Sequence, residues 1–283
     1  MLKNKWLTLT KKSNTSRWLV LLVLALCLAA CQKNPLTGKR TMAFVSNDGL
    51  FAESFLAYTE FLDESEVITE TEDARIVEQV GDNLRKAAEQ WLLHEGNGDY
   101  LSNYQWEYHL VANDEPNAWC MPGGKIVVYT GILPAAQNAD ALAAVLGHEI
   151  AHALLNHGQQ RTSAAILQTL GAIGVAVATA GEDSDVQDTA AVLYDIGSEY
   201  LGRLPFSRAN ESEADEIGLI LMTIAGYDPH EAVNFWQRMD ILASGGQFEF
   251  FSTHPANDTR IENIQNYIDT AQSVASLVTG VPL

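Results

Sequence analysis

Residues 148–152 read His-Glu-Ile-Ala-His, within a stretch whose apolar pattern reads as a helix from 138 to 157. Side chains four apart on a helix stack on one face, so His148 and His152 can aim both imidazoles at one metal ion. Glu149 stands about 100° round the helix, where it can reach a water on that metal without being a ligand. The preceding residues 139–147 (ADALAAVLG) are apolar on one side. Gly147, Ile150 and Ala151 around the pair are neutral or small, as a buried site helix needs. Asn138 or Asp140 would open this helix and Gly158 would stop it.

A metal that activates water takes three protein ligands and keeps one position open. The third ligand should lie downstream, and two acidic clusters offer it. Glu182-Asp183-Ser184-Asp185 reads as a solvated loop. Residues 211–216 (ESEADE) open a helix running into Ile217, Leu219, Ile220 and Leu221. There Glu211 and Asp215 share a face. Glu211 can bind the metal while Asp215 accepts a hydrogen bond from a ligand histidine and fixes its tautomer. Glu213 and Glu216 read as helix-surface charge. His157, near the helix end, reads as structural and turned away from the pair. His94, His109 and His230 read as structural or surface, and Trp91, Trp106, Trp119 and Trp236 as core.

The rest of the pattern predicts an α+β domain, mostly helical, with a small sheet of about three strands. Helices are expected over 47–66, 72–95, 208–226, 229–243 and 256–278. In the second, Ile76, Val77, Val80, Leu84, Ala87, Ala88, Trp91 and Leu92 recur at three- and four-residue steps. Strands are expected over 105–112, Asn117–Met121 and Lys125–Thr130, the last two around Pro122-Gly123-Gly124. Residues 163–180 carry no charge over 18 positions, the lower limit for a membrane span. Gln168, Thr169 and the many Ala and Gly favour a packed helix or a hairpin beside the site instead.

The N-terminal thirty residues read as an address. Lys3 to Arg17 form a basic leader, and residues 18–30 (WLVLLVLALCLAA) form an apolar run too short to span a bilayer. The run ends in Leu28-Ala29-Ala30-Cys31, which resembles the bacterial lipobox. Cleavage before Cys31 and acylation of its thiol would tether the chain to a membrane. By the same resemblance Gln32, in place of an Asp, favours the outer membrane. The domains are then a lipoprotein signal peptide (1–30), a lipidated tether (31–46) and a single domain carrying the metal motif (47–283). Cys120 would be the one remaining thiol, read as buried rather than bridged between chains.

Charge excludes one large class of partner. Lys and Arg number 17, five of them within residues 1–30, against 36 Asp and Glu. A body this acidic does not fit nucleic acid, whose phosphates need clustered cations.

Three motifs in order carry a family resemblance. They are His148-Glu149-Ile150-Ala151-His152, then residues 207–215 (SRANESEAD), then Ser252-Thr253-His254-Pro255. Together they resemble the CAAX prenyl endopeptidase-type gluzincins, and within these the periplasmic outer-membrane lipoprotein metallopeptidases. Asn117-Ala118-Trp119 resembles that family's strand before the zinc helix, and Asn34-Pro35-Leu36-Thr37-Gly38 the start of its mature lipoproteins. The resemblance implies one Zn2+ per chain held by His148, His152 and Glu211, with Glu149 as general base and Asp215 orienting His148. It implies a metalloendopeptidase that cleaves misfolded or misassembled envelope proteins, facing the periplasm, with outer-membrane assembly machinery as a possible partner. A rival reading keeps the zinc but makes the chain a chaperone-like assembly factor with gated proteolysis.

His254 and Arg260 are the positional candidates for stabilising the oxyanion. The family's periplasmic branch gives His254 a second reading, a removable plug over the metal. Asn117, Ala118 and Trp119 are either an edge that pairs with an extended substrate or an ordinary core strand. The multispanning members' transmembrane helices are missing, so prenyl-protein processing is not expected. Leu283 follows Arg260 by about 23 residues, so a C-terminal helical-repeat domain is not expected.

Overall fold

The computed structural model describes residues 31–179, 183–184, 187–188, 207–243, 249–254 and 259–282. The leader, Pro255, and Glu182 and Asp185 of the 182–185 acidic cluster lie outside them. Among the described residues a four-stranded sheet lies between one helix and a helical layer. The strands are β3 (Val67–Ile68), β4 (Glu107–Val111), β5 (Ala118–Met121) and β6 (Lys125–Tyr129), ordered β3-β4-β6-β5. β4 and β6 run parallel, and the other pairs are antiparallel. The two-residue β3 is the strand that pattern reading does not find, because two residues carry no alternation.

Local chemistry explains where the helices begin. Ser46 caps α1 (Asn47–Asp63) by accepting from the Gly49 N–H. Thr71 accepts from Ala74 at the head of α2 (Glu72–His94), with Glu72 and Asp73 in its first turn. After a short α3 (Leu133–Ala136), Asn138 accepts from Ala141 to open the metal-motif helix α4 (Ala139–Leu154). Ser207 does the same for Asn210 in α6 (Arg208–Ile224). α7 (His230–Ala243), α8 (Glu249–Thr253) and α9 (Arg260–Thr279) complete the helical layer.

Strand alternation sorts side chains between two faces. Leu110, Ile126 and Val128 join the main core with α2 and α4, while Val111, Val127 and Tyr129 meet Tyr58, Phe61 and Leu62 of α1. Fully buried Val77, Leu84 and Leu92 of α2 each stabilise the fold by about 1.5–3 kcal/mol. α4 was expected to be amphipathic, but residues 141–154 are all buried. Its small residues let neighbours close in on every side. A Cβ at Gly218 of α6 would lie 2.7 Å from the His148 backbone nitrogen, so α4 and α6 cross with their backbones almost touching.

Two segments differ from expectation. α4 does not run on to Gly158. It ends at Leu154; Asn156 takes a positive φ of 57°, and α5 (His157–Thr179) starts afresh. Asn is among the few non-glycine residues that tolerate this conformation. Beyond the buried Ser163, α5 is not closely packed: Leu170 and Ile173 are exposed. No described helix is long and apolar enough to cross a membrane.

Residues 31–42, read as part of a tether, form a hairpin of β1 (Cys31–Lys33) and β2 (Arg40–Met42). The buried Asn34 holds it in place. Its Oδ1 accepts from Leu36 N and its Nδ2 donates 2.8 Å to the Leu154 carbonyl at the end of α4.

Candidate metal centre

α4 and α6 bring the proposed ligands together. His148 Nε2 and His152 Nε2 are 3.0 Å apart. Glu211 Oε2 lies 3.4 Å from the first and Oε1 3.3 Å from the second. A tetrahedral zinc with bonds of about 2.0–2.1 Å sets its donor atoms about 3.3 Å apart. The two ring nitrogens and the carboxylate stand at about that spacing, and one ligand atom from each lies within 4.8 Å of the others, so the residues present fit one zinc ion. All three side chains are buried.

The carboxylate and the rings are tuned by one another. Burial alone would raise the Glu211 pKa, but hydrogen bonds from His148, His152 and His254 hold it far below the usual carboxylate range. Burial opposes charge on His148, yet Asp215 and Glu211 lift its pKa to about 9. Burial pushes His152 well down, towards the neutral form that binds metals. Burial raises the Glu149 carboxyl, which makes it a stronger base than an exposed glutamate. Glu149 Oε1 is buried without a hydrogen-bond partner.

Asp215 sits where the pattern places it, with Oδ1 2.8 Å from His148 Nδ1. Arg260 lies at the metal centre, with its Nη2 3.4 Å from His148 Nε2 and 3.6 Å from Glu211 Oε2. Its Nη2 donates 2.6 Å to Asp215 Oδ1, and its guanidinium lies 3.3 Å from the Trp236 ring centroid. It therefore braces the Asp215–His148 pair and is absent from the cleft wall. Trp236 is core, as expected, and also meets the His148 ring edge-on at 5.6 Å.

His254 completes the cluster. Its Nδ1 lies 3.3 Å from His148 Nε2 and 3.1 Å from Glu211 Oε1, within reach of the same metal ion as the other three. Its Nε2 is 3.5 Å from Glu149 Oε1. Phe250 of α8 stacks on its ring at 4.7 Å.

A cleft of about 270 Å³ opens beside Glu149, His152 and His254, and Asn117, Ala118 and Trp119 line it. β5 forms one edge of the sheet, which leaves its outer backbone side facing this cleft. Trp119 packs against Phe61 at 5.0 Å, and Ala118 is fully buried. Cys120, expected to be buried, is half-buried in the cleft wall, and burial there pushes its thiol up.

Two side chains at the site were misread from the sequence. His157 does not turn away: its Nδ1 is 2.9 Å from His152 Nδ1 and its ring is fully buried. The break at Asn156 swings His157 back over the preceding turn, which an unbroken helix would forbid. The Asn-His-Gly sequence is the signal that could have shown it. Glu213 is not plain surface charge either; its side chain is 14% exposed and lies between His157 and Lys39.

The comparisons agree with this geometry. A model described as peptidase family M48 matches residues 90–268. The human protein "Metalloendopeptidase OMA1, mitochondrial" is 30% identical over 295 residues, covering 99% of this chain and 53% of that protein. "Mitochondrial metalloendopeptidase OMA1" of Schizosaccharomyces pombe is 40% identical over 174 residues, 61% of this chain and 49% of its own length. "Beta-barrel assembly-enhancing protease" of Escherichia coli is 30% identical over 170 residues, 57% and 34% respectively. The chain thus spans about half the length of the first curated relatives it matches, or less. With its metal motif, its distant Glu211 and the ordered match across residues 90–268, the chain belongs to peptidase family M48.

Proposed function

We propose that this chain is a zinc-dependent endopeptidase acting on polypeptides. The observation that carries this reading is the convergence of His148, His152 and Glu211 beside the buried Glu149, at the wall of an open cleft. A zinc bound there would supply a water of lowered pKa and polarise a substrate carbonyl. Glu149 accepts the proton of the attacking water and returns it to the departing amine. Asp215 accepts the Nδ1–H of His148, which leaves Nε2 free for the metal. The edge of β5 offers backbone hydrogen bonds to an extended substrate. His254 lies within reach of the same metal ion, which supports its reading as a plug that must move aside before cleavage.

The finer setting is a bacterial outer-membrane lipoprotein, attached through Cys31 and facing the periplasm, that removes misfolded or misassembled envelope proteins. The lipobox-like Leu28-Ala29-Ala30-Cys31 and the similarity to the beta-barrel assembly-enhancing protease support it. The place of His254 also favours a second reading, an assembly factor whose proteolysis is gated, with outer-membrane assembly machinery as partner. Glu149→Gln separates the two. The endopeptidase reading expects one zinc per chain retained and casein cleavage lost. Continued cleavage by that variant, or a wild-type chain that takes up no zinc, overturns it. Rescue of assembly defects in cells by Glu149→Gln would favour the assembly factor.

A further inference from the structure

The two histidine ligands are supported differently. His148 Nδ1 meets a carboxylate directly, that of Asp215. His152 Nδ1 meets another imidazole, that of His157, at 2.9 Å. His157 Nε2 in turn lies 3.4 Å from Glu213 Oε2, and Lys39 Nζ lies 2.9 Å from Glu213 Oε1. Four side chains from α4, α5, α6 and the β1–β2 hairpin thus form one line ending on Nδ1 of His152, across the ring from the metal-facing Nε2.

We propose that His157 and Glu213 are positioning residues for the ligand His152, and that Lys39 ties this support to the N-terminal hairpin. Proton arithmetic gives the line one consistent order, resting on the metal-site reading above. Nε2 of His152 faces Glu211 and His148, so a metal there leaves the ring proton on Nδ1. That proton is donated to His157 Nδ1, which must then be an acceptor. His157 therefore carries its own proton on Nε2 and donates it to Glu213. The Lys39 ammonium balances the carboxylate charge. Every donor in the line has an acceptor, and the His152 ring is fixed in tautomer and in rotation. A support of this kind typically changes metal affinity by about 10–100-fold when removed.

The hairpin is held to α4 by Asn34 on the Leu154 carbonyl and to α6 by Lys39 on Glu213. The segment next to Cys31 is thereby part of the scaffold of the metal centre.

The test compares full-length wild type with Glu213→Gln and His157→Ala. Zinc affinity is measured by competition with a chromophoric chelator. The visible bands of the cobalt-substituted proteins and the melting temperature of the metal-free proteins are recorded alongside. The inference expects His157→Ala to lose about 10–100-fold in zinc affinity and Glu213→Gln a smaller, measurable amount. It also expects shifted cobalt bands in both, with the metal-free Glu213→Gln melting like wild type. Zinc affinity and cobalt bands unchanged in Glu213→Gln overturn it, even if His157→Ala fails to fold. A lowered metal-free melting temperature with unchanged affinity makes the pair structural only, and also overturns it. A wild-type chain that binds no zinc would instead sink the metal-site reading on which the inference rests.

Discussion

Replacing Gly218 by alanine should weaken zinc binding from a position that touches no ligand side chain. The added Cβ would lie 2.7 Å from His148 N, 2.8 Å from Gly147 C and 3.0 Å from Gly147 O, all backbone atoms that cannot rotate away. Ordinary contact begins at 3.4 Å, so α4 and α6 must separate by about 0.7 Å. Overpacking of this kind costs about 1–3 kcal/mol, and the helix gains about 1 kcal/mol from losing a glycine. The net loss in the metal-free protein is up to about 2 kcal/mol. The metal site suffers more. His148 and His152 ride on α4 and Glu211 on α6, with edges of 3.4 and 3.3 Å between them. A 0.7 Å separation exceeds the roughly 0.2 Å tolerance of a zinc shell, and a fall in affinity of about tenfold or more is expected. Urea unfolding of the metal-free protein and chelator competition measure the two effects. A variant that gains the helix-propensity increment and binds zinc like wild type would refute the close-crossing argument.

Other expectations follow from the same geometry. His254→Ala should raise basal cleavage of a short fluorogenic peptide several-fold; a clear loss would favour transition-state donation instead. Asp215→Asn should lower zinc affinity by about 10–100-fold, because the amide cannot accept from His148 with full charge, and calorimetric titration would show it. Asp82 is held below its ordinary pKa of 3.8 by hydrogen bonds from Lys86 and Arg85. The contribution is present above pH 3.8 and is lost as pH falls through the lower folded value. Asp82→Asn should therefore flatten the acid limb of the stability profile by less than about 1 kcal/mol, since the pair is partly exposed.

Much of the candidate site is local, and local features can be read from spacing. A four-residue step on a helix forces His148 and His152 onto one face, and the same step pairs Glu211 with Asp215. Capping residues mark where α2, α4 and α6 begin, and the apolar steps of α2 mark its buried side. These follow from the 3.6-residue turn and from the orphan N–H groups at helix starts. Which of the two downstream acidic clusters meets the histidines is not local. It depends on α4 and α6 crossing at Gly147 and Gly218, where neither backbone carries a side chain to hold them apart. The places of His157, Glu213, His254 and Arg260 are decided in the same way. A left-handed turn at Asn156 returns His157 to the site, α8 sets His254 over it, and Arg260 comes to lie between the Trp236 ring and Asp215. Spacing along one helix determines which side chains can act together; only the packing of helices far apart in the chain decides which of them meet.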